Sequence, residues 1–141
     1  MAFAGLFGRK EFSDPRHAAG ALAEKLAAKF LRKRGYKILY RDFKPPNGRG
    51  GQIDLVCRDG ETLVFVEVKS LASAEQIRPL EHLSSEQKRR ISQGALTWLR
   101  LLDNPDISFR FDVVEVILRE DADPKFELIQ QAFELSKPYM Y

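Results

Sequence analysis

A chain of 141 residues with 44% hydrophobic, 11% aromatic and 30% charged residues has the makings of one globular core, and is neither a disordered nor a fibrous chain. The formal net charge of +3 hides a gradient, for residues 1–49 carry +8, residues 50–98 carry −1 and residues 99–141 carry −4. The single cysteine, Cys57, excludes an intrachain disulfide framework and a multi-thiolate zinc site, and no apolar run approaches the roughly 20 residues of a membrane-spanning helix.

Residues 1–13 show no clean period and predict a flexible N-terminal arm. Their apolar stretch is too short for a signal peptide, so the expected location is the cytoplasm. Asp14-Pro15 predicts a cap and a first helical turn. Ala19, Leu22, Ala23, Leu26, Ala27 and Phe30 follow at helical spacing, with Lys25, Lys29, Arg32 and Lys33 on the polar side and Gly35 as the stop. Residues 36–43 predict a strand. Residues 44–51, with two prolines and three glycines, predict a loop. Residues 52–57 and 62–69 predict a hairpin about Arg58-Asp59-Gly60-Glu61, where Asp-Gly is the tight-turn signal.

Residues 70–83 have no firm period and predict a mobile loop. Ser84, with Gln87 three positions on, offers a capping box for a second helix reaching about Leu102. Its expected apolar face is Ile91, Ala95, Trp98, Leu99 and Leu102. Residues 109–118 predict an apolar strand and residues 126–133 a last, more exposed one. The predicted order is α-β-β-β-α-β-β in one α/β domain over residues 14–133, with a C-terminal tail at 134–141. The helix between the third and fourth strands lets these run parallel in a mixed sheet.

The hairpin holds the sharpest chemistry. Side chains alternate across a strand, so Asp54 shares a face with Gln52 and Val56, and Glu67 shares one with Lys69. Charges set into apolar strands need partners. Two close carboxylates repel unless a cation or a proton intervenes. A hard divalent ion with oxygen ligands meets that need. Lys69 beside them can orient or deprotonate a water and steady developing negative charge. Metal-assisted phosphodiester hydrolysis uses this set. The same three residues also fit a salt-bridged trio with no chemistry. Glu24 is a candidate fourth member, because Leu31, seven residues on, lies only about 20° away around the helix. Its plainer role is a flanking carboxylate near Lys25 or Lys29.

Three strings in order carry a family resemblance: Gly51-Gln52-Ile53-Asp54-Leu55-Val56, Val64-Phe65-Val66-Glu67-Val68-Lys69 and Arg110-Phe111-Asp112-Val113-Val114. They resemble the YraN-like family within the PD-(D/E)XK nuclease superfamily, a family similar to archaeal Holliday-junction resolvases. The resemblance spans about residues 18–133 and takes in Gly20, Glu24 to Ala27, Gly35-Tyr36 and Lys88-Arg89-Arg90. It implies a restriction-endonuclease-like mixed sheet flanked by helices and a metal-dependent endonuclease acting on structured or branched DNA. It further implies Asp54 and Glu67 as ligands of Mg²⁺ or Mn²⁺, Lys69 as the catalytic lysine and Glu24 as the catalytic acid of the first helix. Gln52 stands where that family usually has Glu. It keeps an oxygen and loses a charge, and is read as a supporting residue.

Arg49, Lys88, Arg89 and Arg110 are the candidate nucleic-acid contacts. Each also has a plainer role: Lys88 and Arg89 in a solvated helix face, Arg110 paired with Asp112 at a strand end. The basic N-terminal third is a candidate phosphate-facing surface, and a homodimer would bring two sites to a two-fold junction. Three functions follow. The first is a metal-dependent nuclease. The second is a nucleic-acid-binding protein whose catalytic site is vestigial because of Gln52. The third is a non-catalytic assembly protein.

Overall fold

A computed structural model describes residues 15–46, 51–71 and 83–136. The expected arm at 1–13, the Asp14 cap, Arg49, most of the 70–83 loop and the end of the tail lie outside the described residues. The elements are α1 (Pro15–Lys33), β1 (Lys37–Phe43), β2 (Ile53–Asp59), β3 (Thr62–Leu71), α2 (Ser85–Leu101), β4 (Phe109–Ile117) and β5 (Lys125–Phe133). They form the expected α-β-β-β-α-β-β order. The strands make one sheet in the order β1-β2-β3-β4-β5. The β3–β4 pair is parallel, with α2 in the crossover, and the other three pairs are antiparallel.

The hairpin turn is tighter than the sequence predicts. Asp59 pairs with Thr62, which leaves Gly60-Glu61 as a two-residue connection. Gly60 takes φ 62°, the left-handed conformation such turns require. Capping at α2 follows the sequence: Gln87 N donates to Ser84 Oγ at 3.1 Å, and Ser84 N donates to Gln87 Oε1 at 2.9 Å.

Each face of the sheet has its own core and its own helix. Leu55, Cys57, Val64, Val66, Val114 and Val116 meet α1 through Ala23, Ala27, Ala28 and Leu31. Val56, Leu63, Phe65 and Phe111 meet α2 through Ile91, Ala95 and Leu99. The buried stripe of α1 is rotated from the expected one, since Leu22 is exposed. Three alanines form the contact because a small side chain lets the helix approach the sheet closely. Leu102 was also expected in the core; α2 ends at Leu101 and Leu102 is exposed as its C-terminal cap. The start of the expected tail docks on α2: Leu135 packs against the second core, and Ser136 N donates to Ser92 Oγ at 3.0 Å.

Candidate metal and phosphate site

The Leu55–Val66 pairing, continued by one residue, sets Asp54 across from Glu67 on the side facing α2. Both line a cleft of about 150 Å³ with Gln52, Gln87, Arg90 and Ile91. Glycines allow this closeness. A Cβ on Gly51 would stand 2.6 Å from Gly94 N, so the start of β2 lies directly against the α2 backbone. That contact carries Gln52 and Asp54 over the first turns of α2, which supply Gln87 and Arg90.

Asp54 Oδ2 accepts a hydrogen bond from Val68 N at 2.8 Å. Lys69 Nζ forms an ion pair with Glu67 Oε2 at 3.3 Å. The Asp54 carboxyl is held well above its ordinary pKa. Burial is the main cause, followed by the charge of Glu67 and a hydrogen bond shared with it; the Val68 amide opposes the shift and Glu24 adds to it. Glu24 therefore stands near enough to be felt at Asp54. It lies in line with Ala28 and Leu31, and its own pKa rises to about 7, by burial first and then by the charge of Asp42.

Among the described residues, no group of three or more His, Cys, Asp or Glu side chains is placed to hold a metal ion. Glu24 therefore does not complete a three-acid cage with Asp54 and Glu67. The donors that do converge on the cleft are two carboxylates and the Gln52 side chain, all oxygen chemistry. That set fits Mg²⁺ or Mn²⁺: Mg²⁺ is usually held by one or two carboxylates, with water and substrate phosphate completing its shell. The repulsion between Asp54 and Glu67 is the electrostatic counterpart of that fit.

The candidate cations separate. Arg110 is paired within the sheet, away from the cleft: Nε donates to Asp112 Oδ1 at 2.9 Å, and Nη2 donates to Asp59 Oδ2 at 2.8 Å and to Tyr36 Oη at 2.9 Å. Arg89 pairs with Glu86 at 3.2 Å, pointing along the helix surface. Neither Lys88 nor Arg89 lines the cleft, whereas Arg90 does. A 100° step per residue explains this: Gln87, Arg90 and Ile91 are three and four positions apart and share one face, from which Lys88 and Arg89 turn away. The sequence signal for Arg90 was available, since it precedes Ile91, the first buried position of α2.

Two acids escaped the sequence reading. Asp42, next to last in β1, has φ 51° and accepts a hydrogen bond from Gln52. Glu115 is fully buried, and the parallel register sets it level with Lys69. A lone acid inside Val113-Val114-Glu115-Val116 was the available signal for the second.

Residues 23–116 match the family described as Uncharacterised protein family UPF0102. A UPF0102 protein of Geobacter metallireducens is 43% identical over 117 residues, covering 83% of this chain and 93% of the relative. One from Trichlorobacter lovleyi is 38% identical over 120 residues, covering 84% and 92%. One from Anaeromyxobacter dehalogenans is 41% identical over 121 residues, covering 86% and 87%. No helix among the described residues is long and apolar enough to cross a membrane.

Proposed function

The chain belongs to the uncharacterised protein family UPF0102, and we propose that it is a metal-dependent endonuclease that hydrolyses phosphodiester bonds in structured or branched DNA. Family and fold are consistent with the PD-(D/E)XK nuclease superfamily. The observation that carries the reading is the cleft in which Asp54 and Glu67 face each other under Arg90, with Lys69 on Glu67.

Asp54 and Glu67 would hold Mg²⁺ or Mn²⁺. When bound, the ion supplies Lewis-acid polarisation of a phosphate oxygen and makes a water more acidic. The Val68 amide fixes one oxygen of Asp54, which leaves Oδ1 for the cleft. Lys69 holds Glu67 in place and brings a positive charge to the side where negative charge develops. Arg90 offers a planar fork to the phosphodiester, and Gln87 a neutral donor.

The test is cleavage of a panel of duplex, flap and four-way DNA with and without each ion, in wild type, Asp54→Asn and Lys69→Ala. Metal-dependent cleavage that disappears in Asp54→Asn is expected. Cleavage undiminished in both variants overturns the reading. The neutral Gln52 in a two-carboxylate cleft favours one other reading, a nucleic-acid-binding protein with a vestigial site. That reading predicts salt-sensitive DNA binding without turnover, and activity appearing only in Gln52→Glu.

A further inference from the structure

Asp42, next to last in β1, lies in the left-handed region, at φ 51°, which costs most side chains energy and is easiest for Asn, Asp and Gly. Its Oδ1 accepts a hydrogen bond from Gln52 Nε2 at 3.3 Å, and its Oδ2 faces Lys44 Nζ at 3.7 Å. An ionised carboxylate only accepts, so the NH₂ end of the Gln52 amide is the end that turns toward it. The two ends of an amide point apart. Gln52 also lines the cleft with Asp54 and Glu67, and its carbonyl oxygen is the end left for that cleft.

We infer that Asp42 is a positioning residue of the metal centre: by holding the Gln52 amide nitrogen, it presents the Gln52 carbonyl oxygen beside Asp54 and Glu67 as a third oxygen ligand for a divalent cation. The inference rests on the metal-centre reading of the cleft. A direct pull of Asp42 on the cation is the competing account. It is the weaker one, because the Asp42 side chain is 49% exposed and faces Lys44, so solvent and a counter-charge both screen it. The hydrogen bond to Gln52 is local and keeps its effect.

A double-mutant cycle on the full chain tests this, with Mn²⁺ binding measured by titration calorimetry. Glycine is the substitution of choice at position 42, since it accepts the positive φ without strain. Asp42→Gly should weaken Mn²⁺ binding by about tenfold, the scale of an outer-shell partner of a metal ligand. In a Gln52→Ala background the same change should cost less than about twofold, because Asp42 then has no amide to orient. Equal losses in the two backgrounds would show a through-space charge effect and overturn the inference, as would no loss in Asp42→Gly alone. Asp42→Asn keeps the shape and tolerates the same φ, and its own amide can present either edge to Gln52. It replaces the glycine variant if that unfolds: its Oδ1 still accepts from Gln52 Nε2 while the charge is gone, so Mn²⁺ affinity should stay within about twofold of wild type, and a larger loss would show a through-space charge effect and overturn the inference. Wild type that binds no Mn²⁺ overturns the metal-centre reading itself, whereas wild type that binds it with an additive cycle overturns only the role of Asp42.

Discussion

Two charged clusters are built into the same sheet, and they are opposites. At one end, on the α1 side, Asp112 is fully buried and satisfied. It accepts from Tyr36 Oη at 2.8 Å, from Arg110 Nε at 2.9 Å and from Gln131 N at 2.9 Å. Tyr36 Oη also accepts from Gln130 Nε2 at 2.9 Å. Positive and negative charge meet directly, and this network ties the end of α1 to β2, β4 and β5. At the other end, on the α2 side, Asp54 and Glu67 oppose each other, and burial first and then that repulsion raise the Asp54 pKa. A closed network holds a structure together and has no capacity left for a ligand. A cluster left with repulsion has a use for an incoming cation. The presence of charge in an apolar strand is common to both; how fully it is satisfied separates them.

The sharpest way to break that contrast is Asp112→Ala. Removing one partner leaves the Arg110 guanidinium half-buried without its main counter-charge, and strips acceptors from Tyr36 and Gln131. A loss of about 4 kcal/mol in urea unfolding is expected, the scale of a broken buried pair. Mn²⁺ affinity of the molecules still folded should be unchanged, because the network lies on the other face from the cleft. A loss below about 1 kcal/mol would show that the network is ornamental, and a parallel loss of metal binding would show that the two clusters are one system.

This contrast was only half legible in the sequence. The order of elements was readable because hydrophobic period, the Asp-Gly turn and the Ser84/Gln87 capping box all act within a few residues. Asp54, Glu67 and Lys69 were readable for the same reason, since alternation along two adjoining strands fixes their common face. The satisfied network was not, for it joins Tyr36, Asp59, Arg110, Asp112 and Gln130, which are brought together only by the finished sheet. The Arg110–Asp112 pair could be read from their spacing on one strand, but Asp59, Tyr36 and Gln130 could not. Asp42 was hidden by its backbone, because a strand read by alternation has no place for φ 51°. Arg90 was separable from Lys88 and Arg89 by its place beside Ile91, the first buried position of α2.

A second, smaller effect tests what places the cleft. At Gly51, φ is 74° and an added Cβ would meet Gly94 N at 2.6 Å and Gly94 Cα at 2.8 Å. Backbone cannot rotate away as a side chain can, so β2 and α2 must part. Gly51→Ala should cost about 3 kcal/mol, combining left-handed strain with overpacking. Unlike Asp112→Ala, it should also weaken Mn²⁺ binding in the molecules that remain folded, since Gln52 and Asp54 ride on the displaced segment. Calorimetric titration beside thermal melting separates the two behaviours. Unaltered metal affinity would mean that the cleft does not depend on the Gly51–Gly94 contact.

The smallest effect concerns Glu24 and turns on the sign of a pKa shift. Its folded pKa is raised from 4.5 to about 7, by burial first and then by the charge of Asp42. A carboxyl whose folded pKa exceeds its unfolded one binds more protons when folded, so stability falls as pH rises between those two values. The charged form is the disfavoured one, and above pH 7 Glu24 works against the fold. Glu24→Gln removes the charge and keeps the shape. At pH 7.5 the variant should be more stable than wild type by about 1–2 kcal/mol, a shift discounted for the partial exposure of the group. At pH 5 the wild-type side chain is already mostly protonated, and the two proteins should melt together. A Glu24→Gln gain equal at both pH values would place the benefit in packing instead of charge. A loss at pH 7.5 would mean that the Glu24 carboxylate is held by a favourable partner, and the acid end of the sheet would then resemble the satisfied network at the other.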